Sequence, residues 1–313
     1  MANKNHLTNA SLSTMWAVKN YPDLNDFFTV SRQLGFQKVE LNHQVDSAML
    51  SNVSLDDHQF SSIHEPCPAD ISTKELVERD WLISSIDEES RILGVYAVRK
   101  SIDLAKQVGA PVVVVHCGTI PFDRNDEGKL RALYKAGRTN SDGYHQIKSQ
   151  FEQTRQDLVG PRLKAVKKSL LELIEYATHW NIKLGLENRY HFMDIPSMDE
   201  MGELLALTEP SRLGFIYDVG HAQALDRLGF YPHDEWLKRY ASRMFGCHLH
   251  DVIGLTDHYA PGLGEIDYKY IAQFLPDNAF RTFEILPGNT LAQVRDSLDR
   301  LIENGCIQYL SVP

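Results

Sequence analysis

Cysteine is scarce in this sequence: Cys67, Cys117, Cys247 and Cys306 are scattered and form no CxxC pair. That excludes a disulfide framework and a thiolate zinc site, and it points to a reducing, cytoplasmic compartment. No run approaches the roughly 18 continuous apolar residues that a membrane-spanning helix needs. The opening MANKNHLTNA lacks a basic start followed by an apolar stretch, so no secretory leader is expected. Positive charge is also in deficit, with 32 Lys and Arg against 42 Asp and Glu and a net charge of −10. Proteins that grip nucleic acid usually present a basic surface, because phosphate neutralisation supplies most non-specific affinity. The charge therefore weighs against a nucleic-acid partner. Neither GxGxxG nor a Walker loop is found, which removes the phosphate turn of doubly wound nucleotide folds.

Short apolar, β-branched runs alternate with longer segments of helical period, the pattern of a parallel α/β fold. Strands are expected at Leu12–Ala17, Lys38–Leu41, Phe60–His64, Val112–His116, Lys183–Glu187, Gly214–Asp218, Phe245–His248 and Arg281–Ile285. Eight strands with a helix after most of them make a single (β/α)8 TIM barrel over residues 1–313, a fold that runs to about 250 residues or more as one domain. Thr290 with Gln293, and Ser197 with Glu200, read as capping boxes, and Gly305 fits a helix end. A stripe of Leu163, Val166, Leu170, Leu173, Ile174 and Ala177 places a helix starting near Pro161. Residues 119–160 form a long insertion after the fourth strand. Its readings are a solvated helical excursion, an oligomer contact and a lid over the barrel mouth. Lys129, Arg131 and Arg138 within it are candidates to hold a phosphate.

The strand ends carry the chemistry. Glu40 and Asn42 follow the second strand, His64 and Glu65 the third, and His116 the fourth. Glu187 and Asn188 end the fifth, Asp218 and His221 the sixth, His248, His250 and Asp251 the seventh, and Glu284 the eighth. A parallel barrel gathers these ends on one face. Any one of them alone is more simply a helix cap or a loop hydrogen-bonder. Six successive strands ending in carboxylate or imidazole are not explained that way. So many anions repel one another unless a cation sits among them. Mixed imidazole and carboxylate donors suit Zn²⁺ or Mn²⁺, with Co²⁺ and Fe²⁺ as alternatives, better than Ca²⁺ or Mg²⁺.

The segments SIHEPCP, VVVHCG, LGLENRY, IYDVGHA, CHLHDV and TFEIL resemble the xylose isomerase-like TIM barrel superfamily. That superfamily includes sugar isomerases, epimerases and dehydratases, and the endonuclease IV repair enzymes. The resemblance implies one metal held by Glu187, Asp218, His248 and Glu284. It also implies a second metal at His64 and His116, bridged by Glu187, and for His221 a substrate contact in an epimerase or a further zinc in the nuclease. His250, Asn188 and Glu40 join the candidate substrate-binding groups, and Asp251 is the expected hydrogen-bonding support for a histidine. The nuclease's third zinc needs Asp-x-His after the seventh strand, whereas Asp257-His258-Tyr259-Ala260 stands there. That departure and the charge favour an isomerase or epimerase acting on a sugar-like substrate. Glu187 and Glu284 would act as catalytic carboxylates that move a proton through a metal-stabilised enediolate. The alternative is a zinc phosphodiesterase of the endonuclease IV kind acting on abasic DNA. A homodimer is compatible with either.

Overall fold

The computed structural model describes residues 7–309; the first six residues of the segment read for a leader lie outside them. Eight parallel strands close into a barrel. In chain order they are β1 (Ala10–Ser13), β2 (Lys38–Leu41), β3 (Gln59–His64), β4 (Val112–Val115), β5 (Lys183–Glu187), β6 (Leu213–Asp218), β7 (Met244–Leu249) and β8 (Phe280–Phe283). Closure comes from β8, which pairs with both β7 and β1. The expected eight-stranded architecture is therefore present.

The first strand lies earlier than Leu12–Ala17. Its apolar tail is a buried turn, with Ala17 N–H bonded to Thr14 O at 2.9 Å and the Trp16 indole donating to Asn289 O at 2.7 Å. Burial without alternation misled the sequence reading there. β4 and β8 stop one residue short of His116 and Glu284. Both capping boxes form, at the Met198–Leu205 and Leu291–Glu303 helices. The helix expected near Pro161 begins at Asp142, under a Ser141 cap, and runs to His179 with Pro161 inside it. Arg124–Lys135 is also helical, so most of the insertion is helix. Its polar composition reflects a partly solvated position on the rim.

Alternate strand residues face the helices or the barrel interior. Val113, Val115, Leu184, Leu186, Phe215 and Leu249 join the outer core under the helices. Val112, Val114, Ile216 and Phe280 form a separate apolar plug with Phe245 packed against it. The plug fits because three interior positions are glycine. A Cβ on Gly185 would lie 2.5 Å from Ile216, one on Gly214 2.5 Å from Phe245, and one on Gly246 2.3 Å from Phe280.

A hydroxyl layer lines the same interior nearer the mouth. Ser61 donates to Ser11 at 2.9 Å, Ser11 lies 2.9 Å from the Thr282 hydroxyl, and Ser62 donates to Glu40 at 2.6 Å. A register shift between Val39 and Glu40 lets Ser61 and Ser62 both reach this layer. Among the described residues no helix is long and apolar enough to cross a membrane.

Gly246→Ala should overpack the plug and destabilise the protein by about 1–3 kcal/mol. Denaturant unfolding would register this as a lower midpoint; an unchanged midpoint contradicts the packing described.

Candidate metal centre

Glu187 ends β5, Asp218 ends β6, His248 lies on β7 and Glu284 follows β8, and all four side chains are buried. His248 Nδ1 lies 2.7 Å from Glu187 Oε1, 3.0 Å from Glu284 Oε2 and 3.6 Å from Asp218 Oδ2. By distance these are ion pairs. By angle they are not hydrogen bonds, because His248 Nδ1 and Glu187 Oε1 are buried without a hydrogen-bond partner. The angular evidence is the more telling, since buried polar atoms are rarely left unpaired. Lone pairs converging on one point are the arrangement that ligands of a shared cation adopt. Donor atoms of His64, Glu187, His248 and Glu284 all lie within 4.8 Å of one another, and Glu187, Asp218 and His221 form an overlapping group. The donor set thus fits a first-row divalent cation.

Three residues expected at the substrate pack against these side chains. Glu40 lies 3.2 Å from His248 Nε2, on the far side of the ring from the carboxylate cluster. Asn188 accepts from the Asp218 backbone N–H and donates to its carbonyl, both at 2.8 Å. His250 Nε2 lies 3.0 Å from both Asp218 oxygens. Asn42 donates to Glu284 Oε1 at 2.9 Å. His221 is tied to this scaffold as well: its backbone N–H donates to Asp218 at 2.7 Å and its Nδ1 lies 2.9 Å from Asn188 O. Among the described residues Asp251 makes no hydrogen bond to a histidine. It accepts backbone N–H bonds from Val252, Gly262 and Ile266, and so pins the loop after β7.

His64 and His116 approach Glu187 from one side, with Nε2 atoms 3.8 Å from Oε1 and 3.0 Å from Oε2 respectively. Sequence reading missed Arg189, whose guanidinium donates to Glu187 Oε2 at 2.7 Å. Its spacing was a usable signal, because residues two apart share a strand face. His43 was missed too, and its ring stacks edgewise 5.0 Å from His64. It sits in a loop, where no periodicity points to it.

The sequence departs from the nuclease's Asp-x-His pattern at Asp257-His258, yet His221, Asp257 and His258 present donor atoms within 4.8 Å of one another. His221 lies on the Val219–Arg227 helix, whereas Asp257 and His258 lie on a hairpin of Asp251–Ile253 with Thr256–Tyr259, whose register shifts between Thr256 and Tyr259. His258 has φ 59°, and this left-handed turn swings neighbours that would face apart on a strand to one side.

Burial alone would raise the carboxyl groups of Glu187, Asp218 and Glu284, yet the surrounding histidines hold all three well below their usual range. Burial would lower the imidazoles, yet the carboxylates push His248 well up, His64 to about 9 and His250 to about 8. His116 goes the other way, lowered by burial and by the Arg189 charge. Protons on histidine therefore balance the anions where no cation does.

A cavity of ≈ 190 Å³ adjoins this cluster through His116 and Arg189, with Trp81 and Ile83 on its apolar wall and Arg124 reaching in from the insertion. The insertion braces the loop after β5. Glu127 contacts His191 at 2.8 Å, and Arg155 donates to Phe192 O at 2.7 Å and Asp194 O at 2.9 Å. Two of the basic residues considered for phosphate are engaged within their own helix: Lys129 pairs with Asp126 at 2.6 Å and Arg131 with Glu127 at 2.7 Å.

This centre at the mouth of a closed barrel defines a class, and residues 28–303 match the model of the xylose isomerase-like TIM barrel family. The chain belongs to that family. It is similar to the uncharacterised protein MJ1311 of Methanocaldococcus jannaschii, 25% identical over 197 residues, which is 62% of this chain and 56% of that protein. It is also similar to the inosose dehydratase of Geobacillus kaustophilus, 36% identical over 87 residues, or 27% of each chain. The matches therefore span about half or less of these relatives. Among solved structures, a D-tagatose 3-epimerase-like protein superposes with TM-score 0.65 at 20% identity, over 95% of this chain and 97% of the other. The IolI protein with a bound zinc atom superposes with TM-score 0.65 at 15% identity, over 97% of this chain and 100% of the other. At such identities the likeness establishes the fold.

Two outcomes follow for zinc titrations. A bound cation must displace imidazole protons, so affinity should rise from about pH 6 to about pH 8 with measurable proton release; a flat profile counts against the site. Glu40→Gln should weaken affinity about 10–100-fold by loosening His248, and unaltered affinity would separate Glu40 from the centre.

Proposed function

We propose that this protein is a divalent-metal-dependent isomerase or epimerase of a sugar or sugar-like keto or polyol substrate. The observation that carries the reading is the pair of buried carboxyl groups, Glu187 and Glu284, flanking His248 Nδ1 at 2.7 and 3.0 Å. Glu187, Asp218, His248 and Glu284 would hold the ion, with His64 alongside, and Zn²⁺ or Mn²⁺ suits the set. When bound, it would supply Lewis-acid stabilisation of charge developing on substrate oxygens. The similarity to an inosose dehydratase and to a D-tagatose 3-epimerase-like protein supports this substrate class.

The two carboxylates differ in basicity. Glu187 Oε2 already accepts from Arg189 and faces His116, which lowers its proton affinity. Glu284 Oε1 takes only the neutral amide of Asn42. Glu284 therefore removes the proton from the substrate carbon and later releases it to solvent, while Glu187 relays a proton taken from solvent to the substrate, so that the two transfers balance. Return to the opposite face gives epimerisation, and return to the neighbouring carbon gives isomerisation. His221, at the rim of Asp218, orients a substrate hydroxyl. The insertion, through Arg124, walls the adjoining cavity as a lid.

A second reading has one observation in its favour: the His221, Asp257 and His258 cluster offers a further cation position, as a zinc phosphodiesterase acting on abasic DNA would need. The net charge of −10 stands against it. A nicking assay on abasic duplex DNA separates the two.

Glu284→Gln should lower turnover about 10²–10⁴-fold with the fold intact by circular dichroism. Turnover of the native protein in D₂O should place deuterium on the substrate carbon. Retained activity in the variant, or product free of deuterium, refutes the two-carboxylate scheme.

A further inference from the structure

Glu187 directs its two oxygens to two different places. Oε1 has no hydrogen-bond partner and faces His248 and Glu284. Oε2 faces His116 at 3.0 Å and accepts from the Arg189 guanidinium at 2.7 Å. A carboxylate that bridged two cations would need both oxygens free. Arg189 is always protonated and offers no lone pair, so it cannot be a ligand. Nor can it easily swing aside. Its Nε lies 3.5 Å from Asp194, and the Asp194 carbonyl is gripped at 2.9 Å by Arg155, which pairs with buried Glu200 at 2.5 Å.

We infer that Arg189 takes the place of a second cation beside His64 and His116, so that the Glu187 pocket binds one divalent ion and never a pair. This rests on the metal reading proposed above. The guanidinium supplies fixed positive charge on that side, and His116 serves as a hydrogen-bonding neighbour of Glu187 without being a ligand. Arg189 is thus a specificity-determining residue for metal count. Its charge next to Glu187 repels any ion that would approach His116.

The test is metal stoichiometry, read by elemental analysis after loading the purified full-length chain with zinc and desalting. His116→Ala should hold as many ions as the native protein. Arg189→Gln should hold one more ion than native, and that extra ion should vanish in the Arg189→Gln, His116→Ala double variant. Arg189→Lys, which keeps the charge, should match the native count. Loss of an ion in His116→Ala overturns the inference, as does a folded Arg189→Gln that gains none. If Arg189→Gln does not fold, the comparison of native protein with His116→Ala decides alone. A native protein that holds no zinc refutes the metal reading itself, an outcome distinct from the others.

Discussion

Three carboxyl groups, those of Glu187, Asp218 and Glu284, are 2% exposed or less and crowd around one histidine ring. Buried like charges are tolerated only with compensating positive charge, and the rest of the mouth is organised to supply it. His248, His64 and His250 carry part of it as raised imidazoles, and Arg189 carries a permanent part. The unpaired Glu187 Oε1 and His248 Nδ1 mark the point where compensation is incomplete. A divalent cation at that point, as proposed, would resolve the charge and the missing hydrogen bonds together.

The barrel interior is graded to make such a site possible. Glycines at 185, 214 and 246 let Ile216, Phe245 and Phe280 seal one end with an apolar plug. Above it the Ser11, Ser61, Ser62 and Thr282 hydroxyls lead to Glu40, and Glu40 leads to His248 Nε2. That chain fixes which ring nitrogen faces the carboxylates. The polar groups are thus held by the barrel itself, not by mobile loops, and this rigidity suits a site that must hold ligands in a narrow geometry.

Much of this was legible in the sequence, for a geometric reason. A parallel barrel sends every strand end to one face, so the polar strand ends could be expected together from chain order; the choice of Glu187, Asp218, His248 and Glu284 among them is what the family resemblance implies. The first strand was misplaced because Met15, Trp16 and Ala17 are buried in a turn, where apolarity carries no period. The Asp142–His179 helix was started too late because its first half is polar, and its Pro161 looked like a beginning. The grouping of Asp257 and His258 with His221 was not legible, because it depends on a left-handed residue, His258, that no sequence spacing shows. Glu40, Asn188 and His250 were visible as polar strand ends, but spacing cannot tell a group facing the substrate from one facing a neighbouring ligand.

The central claim is that one buried point among Glu187, His248 and Glu284 is where the cation belongs. Anomalous diffraction at the zinc edge from a zinc-soaked crystal tests it directly. A peak about 2.0–2.3 Å from Glu187 Oε1, His248 Nδ1 and Glu284 Oε2 is the predicted result. No peak there, or zinc confined to His221, Asp257 and His258, would contradict the account.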